Sequence, residues 1–192
     1  MRTLFVLLSL SAALVAAQDV KTEEVGKSPV EAKFTPGGRV RMDLCPSGTE
    51  IVGTHDSALR VSYHPERDDV RVRIQISGDR AEIGITECPR NNFKVRIEVP
   101  EHSALHVRMM AGQLDVRDVQ GDKDVELSFG QLTMDVGRAD DYGHAHASVN
   151  SGDIDAPAFG VSKGGLFRSF DRNGPGKYRL HAHVGAGQIE LR

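Results

Sequence analysis

Three observations predict an all-β protein: apolar and polar residues alternate strictly along most of the chain, no window carries a helical stripe, and one glycine phrase is written four times. The narrower expectation is right-handed β-solenoid or β-roll-like coils in the C-terminal half, continuing an N-terminal β-sheet region. An antiparallel β-sandwich is the alternative.

The strands read in order. "RVRMDL" alternates about Val40, Met42 and Leu44, and "ALRVSYH" follows. "VRVRIQI" sets Val70, Val72, Ile74 and Ile76 on one face; "AEIGIT" and "FKVRIEV" repeat the pattern, the latter with Phe93, Val95, Ile97 and Val99. "SGDR" and "EVPEHS" supply turns between them.

The glycine phrase occurs as Gly-Gln-Leu at Gly112 and Gly130, as Gly-Asp-Ile at Gly152 and as Gly-Gln-Ile at Gly187. Aligned on these glycines, Val107, Val125, Ala147 and Ala182 share a column, and so do Met109, Leu127, Val149 and Val184. Beyond the glycine, Leu114, Leu132, Ile154 and Ile189 form a third column, and Val116, Met134, Ala156 and Leu191 a fourth. Apolar positions fall at odd spacing before the glycine and at even spacing after it. One residue therefore changes face there, as a corner or bulge requires, and glycine suits a corner because it takes φ > 0 without a Cβ clash. Stacked columns at a short repeat are what solenoid coils need to bury their inner faces on one another.

The first residues, "MRTLFVLLSLSAALVAAQD", carry one Arg, an apolar run and small residues. Residues 1–17 are expected to be a secretory signal peptide, with Val15-Ala16-Ala17 at the cleavage site. The apolar run is shorter than the ~18–20 residues of a membrane span, and no later segment suits one. No Cys follows the cleavage site, which argues against a lipid anchor. Residues 18–34, charged and without period, are expected to form a flexible leader. Residues 35–192 are expected to form a single domain, with coil repeats over about 105–192 and a Gly-rich capping insertion over about 157–177. Export, to the periplasm or beyond, gives the two cysteines a role: Cys45 and Cys88 are expected to form a structural disulfide.

The run "VRIEVPEHSALHVRMMAGQLDVRDVQGDKDVELSFGQLTMDV" resembles the bacterial putative-adhesin family of unknown function. Its members run an apolar strand into a Val-Pro turn and then repeat Ser-Gly-Asp-Val or similar phrases on β-solenoid coils. The resemblance covers roughly residues 35–192. This chain departs from the pattern by writing Gly-Gln-Leu or Gly-Gln-Ile in three copies and Ser-Gly-Asp-Ile only at Ser151–Ile154. The resemblance implies a fold and a compartment; the family carries no established activity.

Composition excludes little but points away from nucleic acid: the net charge is −3, and the arginines alternate with apolar residues along strands. Trp is absent and aromatics make up 5%, which offers no stacking platform. His144 with His146, and His181 with His183, occupy i and i+2 positions and so share strand faces. In the glycine alignment His106, Asp124, His146 and His181 fall in one column. Imidazoles on neighbouring strands could share Zn²⁺ or Cu²⁺; a polar surface ladder needs no metal, and none is expected. A second column, Asp115, Thr133, Asp155 and Glu190, is acidic, without the glycine-rich repeat of calcium-binding β-rolls. No G-x-S-x-G, H-E-x-x-H or phosphate loop is present, so no catalytic residue is assigned. The expected function is that of an exported, non-catalytic structural or adhesin-like domain, holding an envelope protein or glycan on a repetitive polar β surface. The alternatives are a periplasmic metal-binding protein using the paired histidines and, third, a glycan-active enzyme.

Overall fold

The computed structural model describes residues 19–89 and 92–192. The expected signal peptide lies outside them. The described chain is all-β, with thirteen strands in one hydrogen-bonded system and only short 3-10 turns besides. They are β1 (Val20–Val25), β2 (Val30–Lys33), β3 (Arg39–Leu44), β4 (Ser47–Thr54), β5 (Ala58–His64), β6 (Arg71–Ser77), β7 (Arg80–Thr86), β8 (Lys94–Pro100), β9 (Ala104–Arg117), β10 (Lys123–Met134), β11 (Tyr142–Ala156), β12 (Val161–Asn173) and β13 (Tyr178–Leu191).

The architecture follows from the bend in β9. Ahead of Gly112 it pairs with β3, and from Gly112 onward with β4. Leu44 faces Met109 and Ser47 faces Gly112, so the register is continuous and β3 and β4 are two halves of one bent coil. Strands β9, β10, β13 and β11 bend in the same way, each giving one half to each of two arms. One arm is extended by β3, β7, β6 and β1, the other by β4, β8, β5 and β2. Burial alternates along the strands, and the inward faces of both arms share one core. Met42, Leu114, Leu127, Leu132 and Ile154 are each at most 1% exposed there, and each such side chain stabilises the fold by roughly 1.5–3 kcal/mol relative to exposure.

The glycine columns are strand neighbours. Gly112 faces Gly130, Gly130 faces Gly187, and Gly187 faces Gly152, all in parallel register. Their φ angles are +130°, +131°, +146° and +136° for Gly112, Gly130, Gly187 and Gly152. A Cβ on Gly112 would strike the carbonyl oxygen of Ser47; on Gly130, that of Gly112; on Gly187, that of Gly130; on Gly152, that of Gly187. The phrase repeats because each corner presses its backbone against the corner of the adjacent coil.

The pairing sets the coil order, bears on the sandwich alternative and corrects the expected leader. The spatial order is β9-β10-β13-β11-β12, so the fourth glycine repeat inserts between the second and the third. The 35-residue interval before it allows this, because it contains β12, which reverses direction beside β11 before the chain returns as β13. The antiparallel sandwich does not describe the centre, where β3, β4, β9, β10, β13 and β11 pair in parallel; antiparallel pairs flank it. Finally, residues 20–33 are not a free leader. They form β1 on β6 and β2 on β5, with Val30 and Phe34 buried and Arg71 bonded to Glu23 at 2.7 Å.

The expected capping segment forms the terminal strand β12. Phe170 and Phe159 pack inward, with ring centroids 5.5 Å apart, while Leu166 and Phe167 stay exposed. Lys163 Nζ donates to the Ser169 carbonyl and Arg168 Nε to the Gly164 carbonyl, both at 2.9 Å. Cationic side chains folded over an end strand blunt it against further pairing. Cys45 and Cys88 are disulfide-bonded, Cα to Cα 6.2 Å, tying the bend between β3 and β4 to the segment after β7. No helix among the described residues is long and apolar enough to cross a membrane.

Candidate functional site

Parallel register carries equivalent outward positions into rows, and one row holds most of the candidate residues. Arg41 of β3 faces His106 of β9, which faces Asp124 of β10, then His181 of β13, His146 of β11 and Asp171 of β12. Asp124 joins two histidines: His106 Nδ1 donates to Oδ2 and His181 Nδ1 to Oδ1, both at 2.7 Å. His181 and His146 stack with centroids 5.7 Å apart and planes 16° from parallel. Asp171 closes the row, 3.4 Å from His146 Nδ1 and 3.1 Å from His144 Nε2. Burial of the Asp124 carboxylate works to raise its pKa, but the hydrogen bonds from His181 and His106 outweigh it and hold the group below the ordinary carboxylate value.

The row beside it pairs charged and polar groups as well. Arg108 lies 3.4 Å from Glu126, and His183 shares a 2.9 Å hydrogen bond with Ser148. A shallow groove of about 400 Å³ follows the first row past Asp124, His144, His146, Asp171 and His181.

All four histidines considered as metal ligands therefore lie on this arm, on two adjacent strands. Each has a ring nitrogen directed at an aspartate or a hydroxyl. Among the described residues no group of three or more His, Cys, Asp or Glu is arranged to hold a metal ion. The acidic column on the other arm begins one coil earlier than expected, since Glu50 faces Asp115. Arg117 lies 3.4 Å from Asp115, and Arg192 grips Glu190 at 2.8 and 3.0 Å, so arginines of the same strands or the segment just beyond balance these acids.

One residue escaped sequence reasoning. Lys123 opens β10 at an inward position, between Leu105 of β9 and Leu180 of β13. It is 2% exposed. Its Nζ donates to the Tyr142 hydroxyl at 2.9 Å and sits 5.4 Å from that ring's centroid. Burial draws its pKa down to about 8, against the pull of Asp122, Asp135 and Asp141. Burial also pushes the Tyr142 phenol up. The signal was present: seven residues before each glycine stand Leu105, Lys123, Ala145 and Leu180, one lysine in an apolar column.

No family model matches the chain, and no curated protein matches it. Two solved structures align over most of this chain at low identity. A "putative cell adhesion protein" from Clostridium sporogenes is 12% identical, with 91% of this chain and 100% of that one covered at a TM-score of 0.48. A "putative adhesin" from Bacteroides fragilis is 8% identical, with 91% and 97% covered at a TM-score of 0.35. Neither likeness is close enough to carry a function.

Proposed function

We propose that this chain is an exported, non-catalytic, adhesin-like binding domain of the cell envelope, and that the outward rows of its bent coils hold a protein or glycan partner. The observation that carries this reading is the row from Arg41 to Asp171, which crosses six strands in register. At ~4.8 Å per strand it spans roughly 24 Å. It sets two cationic or imidazole groups before each carboxylate, Arg41 and His106 before Asp124 and then His181 and His146 before Asp171, so the unit recurs every three strands, a fixed spacing that an extended peptide or a sugar chain can match. The rigidity comes from the coils beneath, whose packed columns leave the face little freedom to rearrange. The Cys45–Cys88 disulfide suits an oxidising compartment.

The test is co-sedimentation of the mature protein with isolated cell-wall and membrane fractions. Wild type should sediment with one fraction, and Asp124→Lys combined with His181→Glu should lose most of that binding. Arg60→Ala, on the other arm beside Glu31 and Glu98, should keep it. Binding that ignores the row, or no binding at all, overturns the reading.

A further inference from the structure

We propose that Lys123 is a covalent binding site for small neutral aldehydes, reached through the cavity on the side of the coils where β10 and β11 begin. The cavity has a volume of about 690 Å³, and both Lys123 and its hydrogen-bond partner Tyr142 line it. Among the described residues the ammonium meets only the Tyr142 hydroxyl at 2.9 Å and, at the long limit, the Gly121 carbonyl at 3.5 Å. None of the described carboxylates contacts it. Asp122, Asp135 and Asp141 act on it only through space.

A buried amine without an ion pair sheds its proton readily, because burial penalises the charged form. With a pKa of about 8, roughly one Lys123 amine in ten is free at pH 7, against well under one in a thousand for an ordinary lysine. That free amine can attack a carbonyl carbon. The C=O electron pair moves to oxygen, which takes a proton to give a carbinolamine. The hydroxyl then leaves as water with a second proton, the nitrogen loses its remaining proton, and a C=N bond results. Amine and aldehyde thus give imine and water, with no oxidant or reductant. Tyr142 remains a neutral phenol beside the nitrogen and is placed to pass protons there.

The lining also sets the class of ligand. It contributes Asp118, Asp135 and Asp141, while its arginines are already engaged: Arg138 with Asp141 at 2.9 Å, and Arg192 with Glu190. Asp118 and Asp135, which make no ion pair with another described residue, repel anionic carbonyl compounds at the mouth and admit neutral ones, such as glycolaldehyde or the open chain of a small sugar.

The experiment treats the mature protein at pH 7 with glycolaldehyde and cyanoborohydride, which traps the imine as a secondary amine. Labelled sites are read by peptide mapping at low conversion. Lys123 should label about tenfold or more faster than Lys21, Lys27, Lys33, Lys94, Lys163 or Lys177, since free-amine fraction governs the rate. Glyoxylate should lose that preference. The Lys123 rate should level off above about pH 8 while the surface lysines continue to accelerate. Lys123→Met should remove the fast phase alone. Lys123 labelling no faster than the others, or a rate still rising at pH 10, overturns the proposal, and both are read on wild type without relying on the variant's folding.

Discussion

His181 and Asp124 are separated by 57 residues in sequence and by 2.7 Å in space, imidazole Nδ1 to carboxylate Oδ1. The contact exists because β13 returns to the flank of β10 rather than joining the end of the stack. Asp124 thereby receives His106 from one side and His181 from the other, and His146 stacks on His181 instead of reaching Asp124.

The pairing has an acid limit. The Asp124 pKa is lower in the folded chain than its ordinary 3.8, so its contribution is complete above that value and is lost as pH falls through the lower, folded one. Asp124→Asn should destabilise the protein at pH 7 by about 0.5–1 kcal/mol, a modest amount because the row faces solvent. Urea midpoints of the two proteins should converge as pH falls from below 3.8 through the lower folded value. A difference that persists unchanged into acid would mean that Asn disturbs packing rather than an ionic row.

The corner glycines make a sharper prediction. Gly130→Val places a Cβ against the Gly112 carbonyl at φ +131°, and should destabilise by at least about 3 kcal/mol or prevent folding. Gly48→Ala has an ordinary φ and meets nothing nearer than 3.9 Å, so it should be close to neutral. Denaturant unfolding of both separates a corner requirement from a general intolerance of substitution in the strands.

These positions also show what could be read in advance. Alternation disclosed β3 and β5 to β8, and the glycine alignment placed Val107, Val125, Ala147 and Ala182 at equivalent positions, because side-chain period and corner geometry are local properties. The order of the coils was not legible. It depends on which open flank β13 finds, and the apolar columns of β10 and β11 suit it equally. Residues 20–33 were misjudged because β1 and β2 are short, charged end strands in which Val30 is the one buried position. Strand β4 was missed because "SGTEIVGT" mixes glycine with threonine and buries only Thr49 and Ile51. The histidine column was visible as a set of equivalents; that the second imidazole on Asp124 is His181 rather than His146 depended on the order of the coils.

The disulfide is expected to matter more than its peripheral position suggests. Cys45 and Cys88 are 43 residues apart, and closing a loop of that length restrains the unfolded chain by about 4 kcal/mol in the entropy model. The Cys45→Ala, Cys88→Ala double variant should unfold at a clearly lower urea concentration. It should match wild type measured under reducing conditions. If reduction leaves the midpoint unchanged, the two arms are held by their shared core alone.

Lys123 supplies the last prediction: its charged form destabilises the fold, whereas the charged form of Asp124 stabilises it. Its folded pKa of about 8 is depressed from 10.5, so the unfolded chain binds more protons wherever the two states differ. Stability must then rise with pH between about 8 and 10.5. Below that window the charged amine stands at a penalty of about 3 kcal/mol relative to the unfolded chain. Lys123→Met removes the penalty and fits the column of Leu105 and Leu180, at the loss of a hydrogen bond to Tyr142 that is worth about 1 kcal/mol. The variant should be about 1–2 kcal/mol more stable than wild type at pH 7. That advantage should shrink or reverse near pH 10, where the wild-type amine is neutral in the core. Thermal or urea unfolding of both proteins across that range checks it, and equal stabilities at pH 7 would show that the amine is solvated well enough to keep its charge without penalty.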